Sequence, residues 1–445
     1  MKKTVLAIFL IITLAVSVFS VGAGAYQISG FDVTAEGVLL VSLDTDDVLF
    51  ARNTEKKLYP ASLTKIMTAL LVLEKTTDLD GEMITVSENA VKSILGTGAS
   101  SGGLKEGEQI TARQAVYYLM LPSANDCAVA VAEHYGGSVS GFVNLMNARA
   151  EELGMENSHF ANPHGLHDDE HYTTVKDMYL LTKHALSIEA FKEAIGQKRY
   201  QMPATNKSPA KTLVTTVFMQ DLYNGVSPNL YYRYAKGVKT GFTDAAGRCL
   251  ISTATKNGHS YLCVLMKCPQ DGSRNYNEFK ETKALYEWAF NNFEYKTVVE
   301  ADTPVAEAKV ALCWDHDYVT MLIEGGLSAI LPKGADSSTV QIKPNPDKEV
   351  FDAPIKKGQR LGTADVVYAG ETLGTVNLIA GDSRDANWVL LVARTVKNAF
   401  TSTAFKIVLL IFVLALGGFI LAVVLMNRGR KKRRRRKRGG HARYR

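Results

Sequence analysis

Cysteine is scarce in this chain and odd in number: Cys127, Cys249, Cys263, Cys268 and Cys313 are the only five in 445 residues. None has C-x-x-C spacing, and an odd count argues against a framework in which every cysteine is bridged. They read as small buried hydrophobes, and one bridged pair stays open. No H-E-x-x-H occurs, so the commonest zinc-hydrolase pattern is missing. His164, His167 and His171 are close in sequence, but without a matching carboxylate frame they read as loop histidines and not as a metal site. Residues 96–103 are glycine-rich yet lack G-K-[ST], which favours a mobile loop beside a cleft over a phosphate cradle. No internal repeat is evident. Acidic residues are missing from both ends of the chain, and residues 407–426 carry no charge at all.

The two ends fix the compartment. Lys2 and Lys3 precede an apolar run over 5–19, and small residues follow as far as Ala23-Gly24-Ala25. That pattern predicts a secretory signal peptide over 1–25. The 20 uncharged residues 407–426 are long enough to cross a bilayer as a helix, and Gly417 and Gly418 are tolerated there. The tail 427–445 holds 12 Lys/Arg, which by the positive-inside rule keeps it in the cytoplasm and the bulk of the chain outside. The net charge of +6 therefore misleads: all 45 acidic residues lie within 26–405, against 36 basic ones. The exported part is acidic and offers no grip for nucleic acid. The basic tail reads as a membrane-face feature.

Between these ends the texture changes once. Over 26–295 strand and helix patterns alternate. Residues 37–43 and 47–51 predict a hairpin. Residues 62–75, 112–120, 126–135, 141–153 and 278–293 carry helical apolar spacing, and Gly154 stands at a C-cap position. Residues 248–254 and 260–266 are apolar runs suited to central antiparallel strands. Over 296–387 predicted helix nearly vanishes and short strands appear between Gly and Pro, the pattern of a small all-β domain such as a sandwich. A helical linker over 388–406 leads into the span.

Three short pieces carry chemistry: Ser62-Leu63-Thr64-Lys65, Ser123-Ala124-Asn125 and Lys239-Thr240-Gly241. Serine attacks an amide at neutral pH only with a base in hydrogen-bond reach. Residues three apart share a helix face, so Ser62 and Lys65 meet if both sit on a first turn, and Pro60 suits a helix start. Such a helix aims free N–H groups at a reacting carbonyl. Burial, or a second cation such as Lys239, would loosen the lysine proton. A Ser123 hydroxyl could relay a proton to a leaving amine, and the Asn125 amide could hold a peptide group. Lys239-Thr240-Gly241 reads as a strand edge offering charge, a hydroxyl and close backbone approach. Each piece alone is more often a helix start, a cap or a turn; the ordered set is the signal.

With these pieces in place, the chain resembles the serine-type D-alanyl-D-alanine carboxypeptidases, the low-molecular-mass penicillin-binding proteins, over about residues 30 to 390. The likeness extends to Leu58-Tyr59-Pro60-Ala61, Leu121-Pro122, Asn162-Pro163-His164-Gly165-Leu166, Gly237-Val238 and Thr243-Asp244-Ala245-Ala246-Gly247. It implies an α+β fold: a β-lactamase/transpeptidase-like domain with a five-stranded antiparallel sheet flanked by helices, then the all-β domain and the membrane helix. It implies Ser62 as the acylated nucleophile, Lys65 as its base and Ser123 as the proton carrier to the departing D-alanine. Asn125 would hold the substrate, and Lys239 and Thr240 of the Lys239-Thr240-Gly241 strand would recognise the terminal carboxylate. The N–H groups of Ser62 and Phe242 would form the oxyanion hole. Several relatives carry histidine where Phe242 stands, a change that spares a backbone role. Arg248 is a further candidate for the carboxylate.

The implied activity is removal of the terminal D-alanine from peptidoglycan stem peptides ending in D-Ala-D-Ala, through an acyl-enzyme. No metal or organic cofactor is implied, and β-lactams would act as covalent inhibitors. The protein would sit in the cell membrane by a single pass with its catalytic domain outside. A β-lactamase is the first rival, and no E-x-x-L-N follows Ser123-Ala124-Asn125 to supply a deacylation base of the class A kind. A D,D-endopeptidase and a non-catalytic wall-binding or sensor protein are the others.

Overall fold

The computed structural model describes residues 30–223, 225–270 and 276–439, with side chains described only as far as residue 430. The predicted signal peptide and the last residues of the basic tail lie outside the described residues. The described chain divides into two compact units. One comprises the chain up to Lys296 together with Ser328–Ala335; the other comprises Thr297–Leu327 and everything from Asp336 onward.

The first unit is built on a five-stranded sheet, in the order Val48–Arg52, Gly37–Ser42, His259–Cys268, Gly247–Lys256, Ala235–Thr243. Every neighbouring pair is antiparallel. Successive side chains on a strand point to opposite faces, and here both faces are covered. Leu39, Val41, Ile251, Leu262, Val264 and Met266 join one apolar cluster. Val38, Leu40, Leu250, Ala254, Cys263 and Leu265 join a second on the opposite face. Double coverage explains why the central strands read as unbroken apolar runs. The first cluster is filled by the helices Lys65–Lys75, Ala112–Met120, Asn125–Gly136 and Val175–Ala185, and the second by Asn277–Asn292.

The Ala112–Met120 helix begins where its sequence says it should. Thr111 and Gln114 form a reciprocal capping box at its start. The predicted hairpin of residues 37–43 and 47–51 is also present. Two helices, Val175–Ala185 and Glu189–Gly196, had no clear signal in the sequence. The inward face of Val175–Ala185 includes the buried Asp177 and Thr182, which blur the apolar period, and Glu189–Gly196 is only eight residues long.

In the second unit six strands form one sheet, in the order Gln341–Pro346, Arg360–Tyr368, Glu371–Ala380, Tyr318–Ile323, Pro304–Ala311, Val350–Asp352. Among the described residues its buried side chains are apolar, and they include Val319, Met321, Ile323, Leu361, Val366 and Leu378. The helices Trp388–Thr401 and Thr403–Gly439 follow. Within the latter, the 28 residues Thr403–Arg430 are apolar enough to cross a membrane. At 1.5 Å per residue they span about 42 Å, beyond the ~30 Å of a hydrocarbon core. All five cysteines are free, four of them buried.

Candidate active site

The three sequence pieces converge on one cavity of about 300 Å³. Its walls include Ser62, Ser123, Asn125, Thr240, Gly241 and Phe242, with Gly98 to Ser100 on one side and Arg248, Tyr276 and Glu278 on the other. Ser62 sits on a single 3-10 turn, Ala61–Thr64, that feeds directly into the Lys65–Lys75 helix. Three-residue spacing on that turn brings Lys65 Nζ to 3.0 Å from Ser62 Oγ. The same Nζ donates to the carbonyl of His164 at 2.7 Å.

Lys65 has no solvent exposure. Burial first, and then the charge of Lys239, hold its amine well below the ordinary lysine range; Asp126 and Cys127 act in the opposite sense. Lys239 is equally buried, and burial pushes its pKa down to about 7. Its Nζ donates to the carbonyl of Thr240 at 3.0 Å. A neutral amine beside a serine hydroxyl is what base catalysis by lysine needs.

Two backbone positions here are unusual for their residues. Ala61, just before Ser62, has φ 47°, and Ser123 has φ 62°. Left-handed backbone at such residues costs on the order of 1–3 kcal/mol and persists only where surroundings impose it. The surroundings are visible. The ideal Cβ of a side chain at Gly165 would lie 1.8 Å from the Ala61 carbonyl oxygen, so the loop bearing Gly165 presses its bare backbone onto that turn. On the other flank a Cβ at Gly241 would lie 2.9 Å from the carbonyl of Pro60. Gly241 therefore lets the edge strand approach the Ala61–Thr64 turn.

The Asn162-Pro163-His164-Gly165-Leu166 piece is the clamp on this turn. Asn162 Oδ1 accepts from the Gly165 N–H (2.7 Å), Asn162 Nδ2 donates to the Leu166 carbonyl (2.9 Å), and Thr68 Oγ1 donates to the Pro163 carbonyl (2.6 Å). Burial, with Lys65 and His171 nearby, pushes the pKa of His164 down to about 3, so its ring is neutral. The three clustered histidines do not converge. His164 offers its carbonyl to Lys65, His167 Nε2 lies 3.5 Å from Asp169, and His171 Nε2 lies 2.7 Å from Thr64 Oγ1.

Ser123 and Asn125 are both buried. Ser123 Oγ and Asn125 Oδ1 face the cavity region without hydrogen-bond partners among the described residues. Buried polar atoms normally find partners, so these two are free to bond a group that enters the cavity. Asn125 opens the Asn125–Gly136 helix, and its N–H donates to the Ser100 carbonyl at 2.9 Å. Thr240 Oγ1 donates to Thr216 Oγ1 at 2.7 Å. Arg248 is held at the far wall: its guanidinium lies 3.2 Å from Glu278 Oε1, and over the rings of Phe242 (5.4 Å) and Tyr276 (4.7 Å).

Asp126 and Thr216 escaped the sequence reading. The buried Asp126 carboxylate accepts from Ser101 Oγ (2.6 Å), Gly102 N–H (2.8 Å) and Leu104 N–H (3.1 Å). It thereby pins the glycine-rich segment that forms one wall. Its position next to Asn125 was the available signal. Thr216 lies in a loop, and nothing local distinguishes it.

The chain is similar to known proteins. A family model described as D-alanyl-D-alanine carboxypeptidase matches residues 24–270, and one described as penicillin-binding protein 5, C-terminal domain, matches residues 293–386. The D-alanyl-D-alanine carboxypeptidase DacF of Bacillus subtilis (strain 168) is 32% identical over 399 residues, covering 88% of this chain and 97% of that protein. DacA of Haemophilus influenzae, of the same description, is 29% identical over 416 residues, covering 90% and 100%. Among solved structures, penicillin binding protein 5 from Haemophilus influenzae superposes with a TM-score of 0.65 at 27% identity, over 81% of this chain and all of that one.

Proposed function

The chain belongs to the D-alanyl-D-alanine carboxypeptidase family, and from that membership we propose that it is a serine D,D-carboxypeptidase acting on peptidoglycan stem peptides that end in D-Ala-D-Ala. The observation that carries the reading is the fully buried Lys65 amine, 3.0 Å from Ser62 Oγ in a cavity that also holds Ser123, Asn125 and Thr240.

In the proposed reaction Ser62 Oγ attacks the carbonyl of the penultimate D-alanine while its proton passes to Lys65 Nζ. The Ser62 and Phe242 N–H groups receive the developing oxyanion. Collapse breaks the peptide bond, and Ser123 Oγ hands its proton to the departing amine while taking up the one held by Lys65 Nζ, which leaves the lysine neutral again. Water then hydrolyses the ester and returns Ser62. Asn125 turns its amide to the substrate's peptide group, in keeping with its unpartnered Oδ1. Lys239 and Thr240 take the terminal carboxylate, whose arrival favours the charged form of Lys239. Arg248, held by Glu278, serves as an outer anchor on that side. A β-lactam, with a strained amide and a carboxylate, acylates the same serine.

We assign residues 26–295 to catalysis, 296–387 to a separate β domain, 388–406 to a linker, and 407–426 to a single membrane pass that leaves the catalytic domain outside and 427–445 inside. Mass spectrometry of the soluble ectodomain after penicillin exposure tests the central assignment. The expected result is a long-lived penicilloyl adduct on the peptide containing Ser62, together with D-alanine release from a D-Ala-D-Ala peptide that Ser62→Ala abolishes. Rapid turnover of penicillin, or an adduct elsewhere, overturns it.

A further inference from the structure

His171 lies outside all three catalytic pieces, 46 residues beyond Asn125, and the reaction above gives it no role. It is 2% exposed. Its Nδ1 accepts the N–H of Ala161 at 2.9 Å, so Nδ1 carries no hydrogen and the proton belongs on Nε2. Nε2 lies 2.7 Å from Thr64 Oγ1 and donates to it. The Thr64 hydroxyl in turn donates to the carbonyl of Ala61 at 2.7 Å. A one-way chain thus runs from the Ala161 amide through His171 and Thr64 to a single carbonyl. Burial pushes the His171 pKa down to about 4, which keeps the ring in this neutral form.

The carbonyl at the end of the chain belongs to the Ala61–Ser62 peptide, which is trans. In a planar trans peptide the C=O and N–H point in opposite directions. Fixing the Ala61 oxygen therefore fixes the direction of the Ser62 N–H. The peptide needs fixing, because Ala61 is held at φ 47°. We propose that His171 and Thr64 are positioning residues that hold the Ala61–Ser62 peptide so that its N–H faces the cavity as an oxyanion donor. This rests on the reading that Ser62 is the nucleophile and its N–H one of the two donors. Neither side chain touches the substrate. Each acts through the peptide, and the effect falls on the transition state, where the oxyanion exists.

Four variants test it: Thr64→Val, Thr64→Ser, His171→Ala and His171→Gln. The probes are D-alanine release from a D-Ala-D-Ala peptide, and inhibition by an acylated D-boroalanine, whose tetrahedral boronate places one oxygen at the oxyanion position. Loss of a whole oxyanion donor costs about 100- to 1000-fold in kcat. A misaimed donor should cost roughly 10- to 100-fold. Thr64→Val and His171→Ala should show that loss in kcat, with KM nearly unchanged and boronate affinity weakened by the same factor. Thr64→Ser keeps the hydroxyl and should restore most of it, and His171→Gln part of it. Wild-type kcat in Thr64→Val, or boronate affinity that stays constant while thermal stability falls, overturns the proposal. If the valine variant does not fold, the His171→Ala and His171→Gln pair gives the same reading. Ser62→Ala, run alongside, leaves the chain of hydrogen bonds intact. If it still releases D-alanine, the underlying assignment of the nucleophile fails, and that result is distinct from failure of the relay.

Discussion

The strand Gly247–Lys256 in the first unit buries six consecutive residues, 249–254, whereas Tyr318–Ile323 in the second buries alternate ones. The difference goes beyond pattern. Among the described residues, every side chain that is both polar or charged and buried lies in the first unit, including Lys65, Ser123, Asn125, Asp126, His171 and Lys239. The second unit's core contains apolar side chains only. Burying an amine without a counter-charge costs stability, so a protein keeps such groups where chemistry requires them. The second unit bears no such cost among the described residues. The cavity lined by Ser62, Ser123 and Asn125 belongs to the unit with the polar interior.

The sharpest way to break this comparison is to remove a buried charge. Lys65→Met replaces the amine by an apolar chain of similar length. Acylation by penicillin should fall by about 100- to 10,000-fold, the usual contribution of a general base, while the thermal midpoint does not drop. A stability loss as large as a core truncation, about 2–5 kcal/mol, would mean that the lysine serves the fold.

Next in size is the pH profile. In the free enzyme Lys65 must be neutral to take a proton, and it is neutral above its lowered pKa. Lys239 must be charged to attract a carboxylate, and it loses charge above about pH 7. For a D-Ala-D-Ala peptide kcat/KM should therefore rise and then fall with pH, the alkaline limb declining about tenfold per unit. The two lysines influence each other, so the apparent values belong to the pair. A substrate with an amidated C-terminus should lose the alkaline limb, and identical profiles for both substrates would remove Lys239 from carboxylate recognition.

A smaller effect is expected at Asp126, which accepts from four donors, three of them in the 101–104 segment. Asp126→Asn sets an N–H against one of them, at a cost of about 1–3 kcal/mol. The 98–100 wall should loosen, raising KM several-fold with little change in kcat, measurable by steady-state kinetics. The smallest effect on catalysis comes from the second unit. Leu378→Ala opens its apolar core and should cost that unit about 2–5 kcal/mol, visible as faster hydrogen exchange there. D-alanine release should not change, and a matching loss of activity would show that the contrast between the units is false.

Much of this was legible in the residues. The 112–120 helix matched to the residue, because its apolar face and capping box agree. The three motif pieces were legible because their residue types are rare in combination. Other features were hidden for identifiable reasons. Val175–Ala185 was missed because Asp177 and Thr182 occupy its inward face. Ser62 was expected on a helix, yet it occupies a 3-10 turn behind an alanine in left-handed backbone. Alanine disfavours that conformation, so no local preference could announce it.

Composition and order alone carried the mixture of strand and helix patterns, the uncharged apolar segment 407–426, a serine with a lysine three residues on, and the family likeness. These rest on periodicity and spacing, which are local. The lowered pKa of Lys65 and Lys239, the grip of Asp126 on the 101–104 segment, the close fit of Gly165 and Gly241 around Ala61, and the reach of His171 to Thr64 were decided only by the folded chain. Each depends on desolvation or contact between stretches tens to hundreds of residues apart, and such effects do not exist until the sheet and its helices bring those stretches together.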